Sequence, residues 1–98
     1  MIKLECKRVQ FYSELDETCF SERLDRINCI ENWEGVSDTI VLNIKSKKVS
    51  DTCMRELLSL FYRYKIEMSQ LIVLVNNKNE VWIKNEKAYW HKKLFKNK

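Results

Sequence analysis

The sequence contains no proline, one glycine and one histidine. A single glycine cannot build a glycine-rich phosphate loop, and His91 alone completes neither a zinc set nor a local acid–base constellation. Without proline, turns have to be made by Asn, Asp, Ser and Lys. Long hydrophobic runs are missing too. The longest purely aliphatic run, Leu71 to Val75, is five residues, far short of the ~20 that span a membrane. Cys6, Cys19, Cys29 and Cys53 lie 13, 10 and 24 positions apart, with no CxxC pair. The opening MIKLECKRVQ has no apolar signal-peptide core. The expectation is therefore a cytoplasmic protein with reduced, mostly buried cysteines, no metal and no cofactor.

What is present is ordinary for a globular chain: 98 residues, 45% hydrophobic and 33% charged. A chain of this size buries roughly two-thirds of the surface it exposes when unfolded, enough for one core. Its net charge of +4 is unevenly laid out, with nine acids and five bases in residues 1–38 against five acids and thirteen bases in 39–98. Such polarity points to a charged partner.

Periodicity divides the chain into elements. Ile2, Leu4 and Cys6 alternate with charged residues as a strand does, and the apolar parity shifts at Val9 and Phe11, which places a bulge or break near Lys7–Arg8. Ser13 is a helix N-cap, with Asp16 in the position of a capping-box partner. Leu15, Cys19, Phe20, Leu24 and Ile27 then form a helical stripe as far as Asn28. Cys29–Trp33 and Thr39–Ile44 read as a hairpin joined by a loop of about four to six residues, in which Gly35 supplies a positive-φ position. A basic loop, 45–49, leads to the strongest helix. There Cys53, Leu57, Leu60, Phe61 and Tyr64 share one face, Ser50 is the N-cap, Asp51 lies in the first turn, and Arg63 and Lys65 close the last. Beyond it, 66–70 reads as a turn or short helix and Leu71–Val75 as a buried strand. Asn76–Asn79 is a turn, and Glu80–Ile83 is a short edge strand able to pair with a second copy. Asn85 starts a final helix through Lys96. These elements predict one α+β domain, with an antiparallel or mixed sheet of about four to five strands and two helices packed on it. Their order, β-α-β-β-α-β with a C-terminal helix, matches the ferredoxin-like split-βαβ pattern.

Two charged regions are candidate binding surfaces. Glu14, Asp16, Glu17, Glu22, Asp25, Glu31, Glu34 and Asp38 face only Arg23 and Arg26 across residues 14–38. With Trp33 as an aromatic anchor, this region suits a basic protein. Acids at a helix start complement the dipole, so Glu14, Asp16 and Glu17 are not read as metal ligands. In the C-terminal region, Lys84, Lys87, Lys92, Lys93 and Lys96 interleave with Tyr89 and Trp90, a composition suited to phosphates and bases. The alternative expectation is therefore a small nucleic-acid-binding regulatory protein that uses its basic C-terminal helix. The strand TIVLNI lacks the aromatics and glycines of an RNA-recognition motif. No nucleophile, base or metal set assembles locally, so the chain does not read as an enzyme.

The blocks ELDETCF, RLDRINCI, SDTCMRELLSLFYRYKIEMSQL and KAYWHKKLF together resemble the immunity proteins of bacterial contact-dependent growth inhibition systems. That resemblance implies a short, cytoplasmic, cofactor-free protein that binds the C-terminal toxin domain delivered by a neighbouring cell, often a nuclease, and blocks its active site. It transfers no binding residue; the acidic region above is the expected contact surface. The net positive charge departs from the acidic balance common among inhibitors of basic nucleases.

Overall fold

Three strands and two long helices follow the periodicity closely. In the computed structural model, which describes residues 2–95, β1 (Ile2–Lys7) is followed by α1 (Glu14–Arg26), β2 (Ile30–Val36), β3 (Thr39–Ile44) and α2 (Asp51–Arg63). The sheet order is β1-β3-β2, and both pairings are antiparallel. β1 and β2 therefore run parallel on either side of β3, with α1 connecting them. Leu4 and Trp33 both oppose Leu42, and Ile2 and Ile30 both oppose Ile44. This register puts Leu4, Cys6, Ile30, Leu42 and Ile44 on the core face, while Lys3, Glu5, Lys7, Asn32 and Glu34 stay exposed. A bulge at Glu31 adjusts β2 so that both Ile30 and Trp33 reach the helix side.

The hairpin turn is tighter than expected. Residues 37–38 alone connect β2 to β3, and Ser37 takes the positive φ, at 59°. Gly35 does not adopt positive φ; it lies within β2 opposite Ile40. A two-residue hairpin needs its left-handed residue at the turn itself, so the strand simply runs through the glycine.

Helix α1 starts as its sequence requires. Ser13 Oγ accepts from the Asp16 amide at 3.2 Å, and Asp16 Oδ2 accepts from the Tyr12 amide at 3.0 Å. Its buried stripe is Phe20 and Leu24, continued by Ile27. Leu15 and Cys19 were expected on that stripe, but both are exposed, Leu15 at 75%. They lie more than a quarter turn round the helix from the line through Phe20, Leu24 and Ile27.

Helix α2 is the centre of the core. Ser50 Oγ accepts from the Cys53 amide at 3.2 Å, and Cys53, Met54, Leu57, Leu58, Leu60 and Phe61 are buried. Burying each large aliphatic side chain stabilises the fold by roughly 1.5–3 kcal/mol. The helix ends in a Schellman turn: the Ile66 amide reaches Phe61 O at 2.9 Å, and the Lys65 amide reaches Tyr62 O at 3.3 Å. Lys65 occupies the left-handed position that glycine usually fills, with φ 58°.

The C-terminal third departs from expectation. The sheet has three strands among the described residues, not four or five, and the fourth strand that a ferredoxin-like arrangement needs is not formed. Met68–Leu74 is a 3-10 helix. Met68, Leu71 and Leu74 are buried, whereas Ile72 and Val73 are 40% and 61% exposed. Burial every third residue is the repeat of a 3-10 helix and not of a strand. The outer edge of β1 is met by one side chain instead. Gln70 Oε1 accepts from the Glu5 amide, and its Nε2 donates to Glu5 O, each at 2.8 Å, so its carboxamide imitates a neighbouring peptide group. Glu80–Ile83 is a helical turn (α3), which removes the edge strand proposed for homodimer pairing. The expected final helix is reduced to α4 (His91–Leu94). Its predicted end at Lys96 lies outside the described residues. The Cα radius of gyration, 13.2 Å, is that of a compact chain of this length.

Candidate functional site

Helix α1 carries two different solvent-facing stripes. Glu14, Glu17, Ser21 and Asp25, spaced i, i+3, i+7 and i+11, form an acidic one. Asp16, Cys19, Arg23 and Arg26, spaced i, i+3, i+7 and i+10, form another that borders a groove. The groove has a volume of about 670 Å³. Its second wall is the C-terminal end of α2, contributing Arg63, Tyr64 and Lys65. The segment leaving β1 closes one end with Arg8, Gln10 and Tyr12.

Local physics places these cations. Arg23 and Arg26 lie in the last turn of α1 and Arg63 in the last turn of α2, where the helix dipole favours positive charge. Phe11, Phe20 and Tyr64 pack edge to face beneath, with ring centroids 4.8–6.2 Å apart. This cluster pins the segment after β1 against both helices. Arg8 sits at φ 54°, its amide bonded to Asp38 O at 2.9 Å and its Nε to Asp38 Oδ2 at 3.3 Å. The break expected near Lys7–Arg8 is this left-handed residue. Arg8 and then Thr39 hydrogen-bond the Asp38 carboxylate and hold its pKa below the ordinary value.

Five cations line the groove, against the acids Asp16 and Glu22. Asp16 is committed to the helix cap. Arg23 is held by Ser59 Oγ at 3.2 Å and by Glu56 at 3.6 Å. Arg26, Arg63 and Lys65 have no ion-pair partner among the described residues. Next to the groove and sharing Arg63 with it is a second concavity of about 400 Å³, lined also by Ser59, Tyr62 and Tyr89. Tyr62 and Tyr89 pack edge to face at 4.7 Å, and Lys93 Nζ lies 5.2 Å above the Tyr62 ring. Burial raises the Tyr89 pKa above its ordinary value.

The predicted acidic surface is not one surface. Glu14, Glu17 and Asp25 share a stripe on α1, and Asp25 Oδ1 accepts from Trp33 Nε1 at 2.9 Å, which holds the half-buried indole beside it. Asp16 and Glu22 belong to the groove. Glu31 pairs with Lys45 at 3.2 Å. Glu34, one position on from Trp33, points to the other side of the sheet, and Asp38 is tied up with Arg8 in the hairpin turn. The basic C-terminal set is divided as well. Trp90 is buried, with its Nε1 bonded to Ile83 O at 2.8 Å, so it is not an exposed base-stacking surface. Lys84 pairs with Glu80 at 3.3 Å, Lys87, Lys92 and Lys93 are exposed, and Lys96 lies outside the described residues.

The groove residues Arg8, Tyr12, Arg63 and Lys65 escaped the sequence reading because they come from segments far apart in the chain. The available signal was Arg23 and Arg26, two cations three residues apart in an otherwise acidic helix. Three of the four cysteines are buried, and Cys19, on the groove, is exposed. Among the described residues no group of three or more His, Cys, Asp or Glu is placed to hold a metal, and no helix is long and apolar enough to cross a membrane.

With this geometry in hand, comparison with family models, curated proteins and solved structures finds no match. What fold and surface define is a small α+β protein with a three-stranded antiparallel sheet, whose first helix separates an acidic stripe from an arginine-lined groove.

Proposed function

We propose that this protein acts in the cytoplasm as an immunity-type inhibitor: it binds a cognate toxin domain, often a nuclease in such systems, and occludes its active site without performing chemistry. The supporting observation is the acidic stripe of α1. Glu14, Glu17 and Asp25 are exposed on one line, and Trp33 is fixed at its end by the bond to Asp25. Exposed carboxylates beside a pre-positioned indole are suited to a basic active-site cleft, because charge speeds encounter and the aromatic edge supplies area at low entropy cost.

The test begins with the reading frame immediately upstream, which is expected to encode a toxin-like domain; an upstream frame without such a domain counts against the reading. Binding of the purified protein to that domain is then followed by calorimetry. Wild type is expected to bind and to protect cells. The triple reversal Glu14→Lys, Glu17→Lys, Asp25→Lys, confined to the stripe, is expected to slow association and weaken protection. Binding that survives the reversal unchanged removes this surface, and an absence of binding by wild type removes the immunity reading.

A further inference from the structure

We propose that the groove between α1 and the C-terminal end of α2 binds single-stranded nucleic acid, with phosphates on Arg26, Arg63 and Lys65 and bases stacked on exposed tyrosines. This site is separate from the acidic stripe and does not rest on the immunity reading.

The first argument is charge. Arg26, Arg63 and Lys65 border one groove without an ion-pair partner among the described residues, and Arg8 and Arg23 add two more cations beside them. Like charges gathered in one concavity repel each other, and a polyanion that enters it converts that repulsion into attraction. Arg8 retains donors for such a ligand, since Asp38 engages only its Nε and one backbone amide. Backbone conformation points the same way. Of the three non-glycine residues at positive φ among the described residues, Arg8 and Lys65 both line this groove. Each left-handed residue costs about 1–2 kcal/mol, and strain of this kind collects where a side chain has to be presented.

The second argument identifies the anion. Tyr12 stands at one end of the groove with 82% of its surface exposed. Tyr62 and Tyr89, 42% and 49% exposed, stand in the concavity that continues past Arg63. Cations flanked by part-exposed tyrosines match what an unpaired strand offers, phosphates at intervals with bases between them. Base readout of a duplex does not fit, because it requires a helix or ribbon that protrudes into the duplex groove, and a duplex keeps its bases stacked away from the tyrosines. A single mononucleotide is a poor match as well, since the charged lining side chains Arg8, Arg26, Arg63 and Lys65 are exposed and the trough runs on beyond Arg63. An acidic peptide would satisfy the cations and leave the tyrosines without a role.

The test uses the full chain and a fluorescein-labelled mixed-sequence 12-mer, as DNA and as RNA, read by fluorescence anisotropy. With three phosphates neutralised, the affinity should fall about 20-fold between 50 and 200 mM salt, from a slope of about −0.7 per phosphate. Arg26→Ala combined with Arg63→Ala should flatten that slope by more than one unit. Tyr12→Ala and Tyr89→Ala should each weaken binding about tenfold. Lys84→Ala with Lys87→Ala, in the C-terminal segment, should leave affinity and slope unchanged. Maleimide labelling of Cys19, on the groove wall, should be slowed by the 12-mer. Circular dichroism of each variant separates loss of fold from loss of binding, and the Cys19 readout needs no variant. The proposal is overturned if micromolar protein gives no anisotropy change at 50 mM salt. It is also overturned if affinity follows Lys84 and Lys87 and ignores Arg26 and Arg63, or if polyglutamate protects Cys19 and the 12-mer does not. Reversing the acidic stripe should leave 12-mer binding intact, so this result and the toxin-binding result are read independently.

Discussion

Replacing Lys65 by glycine should make the protein more stable and a weaker binder. Lys65 closes α2 in a Schellman turn at φ 58°, with Ile66 buried behind it against the last turn. A β-carbon in the left-handed region costs about 1–2 kcal/mol. Glycine relieves that cost but adds about 0.4–1 kcal/mol of freedom to the unfolded chain, so the net gain is about 0.5–1 kcal/mol. For 98 residues, the unfolding entropy is about 0.2 kcal/mol per kelvin, which turns this gain into a rise in Tm of about 3–5 °C. The assay is thermal unfolding by circular dichroism, with Lys65→Ala as the control. Alanine removes the charge and keeps the strain, so its Tm should stay near wild type. Both variants should bind the single-stranded 12-mer less tightly, with the salt slope reduced by about 0.7. A fall in Tm for Lys65→Gly would refute the strain argument. A gain in stability with unchanged binding would show that the strain has no connection with the groove.

Other parts of the fold make separate predictions. Gln70→Ala removes two hydrogen bonds to the Glu5 backbone and should cost about 1–2 kcal/mol, with faster hydrogen exchange at the Glu5 amide; exchange at the wild-type rate would mean the carboxamide does not seal that edge. Leu57→Ala, fully buried in α2, should cost about 3 kcal/mol, measured by urea denaturation. Burial pushes the Cys6 thiol up to about 12 from an ordinary 9.0. Its folded pKa is therefore the higher one, and its contribution is whole below pH 9 and is lost progressively between pH 9 and 12, by on the order of 2 kcal/mol at pH 10.5. Cys6→Ala should flatten that alkaline loss in urea titrations, and a loss of the same steepness would contradict the assignment. Finally, Cys19 is the one exposed thiol of four, so maleimide should label a single site quickly in the native protein and all four in urea.

Cys29 and Cys53 show how far local rules carry before neighbours intervene. Burial, then the charge and hydrogen bond of Cys53, raise Cys29 to about 12. For Cys53 burial also opposes the thiolate, but hydrogen bonds involving Ser50 and Cys29 outweigh it and hold the pKa below ordinary. Both cysteines were legible as buried. Their opposite titration comes from one lying at a capped helix start and the other packing against it.

The elements that the amino-acid sequence determined by itself are those whose signals are answered within a few residues. Ser13 and Ser50 find their amides three positions on, the apolar face of α2 repeats at helical spacing, and β1 and β3 alternate. Tertiary structure decided what depends on distant partners. Leu71–Val75 is apolar enough for strand or helix, and all of it but Val75 falls in the 3-10 helix Met68–Leu74, where Gln70 seals the edge of β1 and Met68, Leu71 and Leu74 are buried in the core. The groove depends on distance most of all. Arg8, Arg26 and Lys65 are each unremarkable in the chain, and they face one space only because the Phe11–Phe20–Tyr64 cluster draws the exit of β1 against both helices. Charge along a sequence is additive, but the potential of a surface depends on which charges the packing brings within a Debye length of one another.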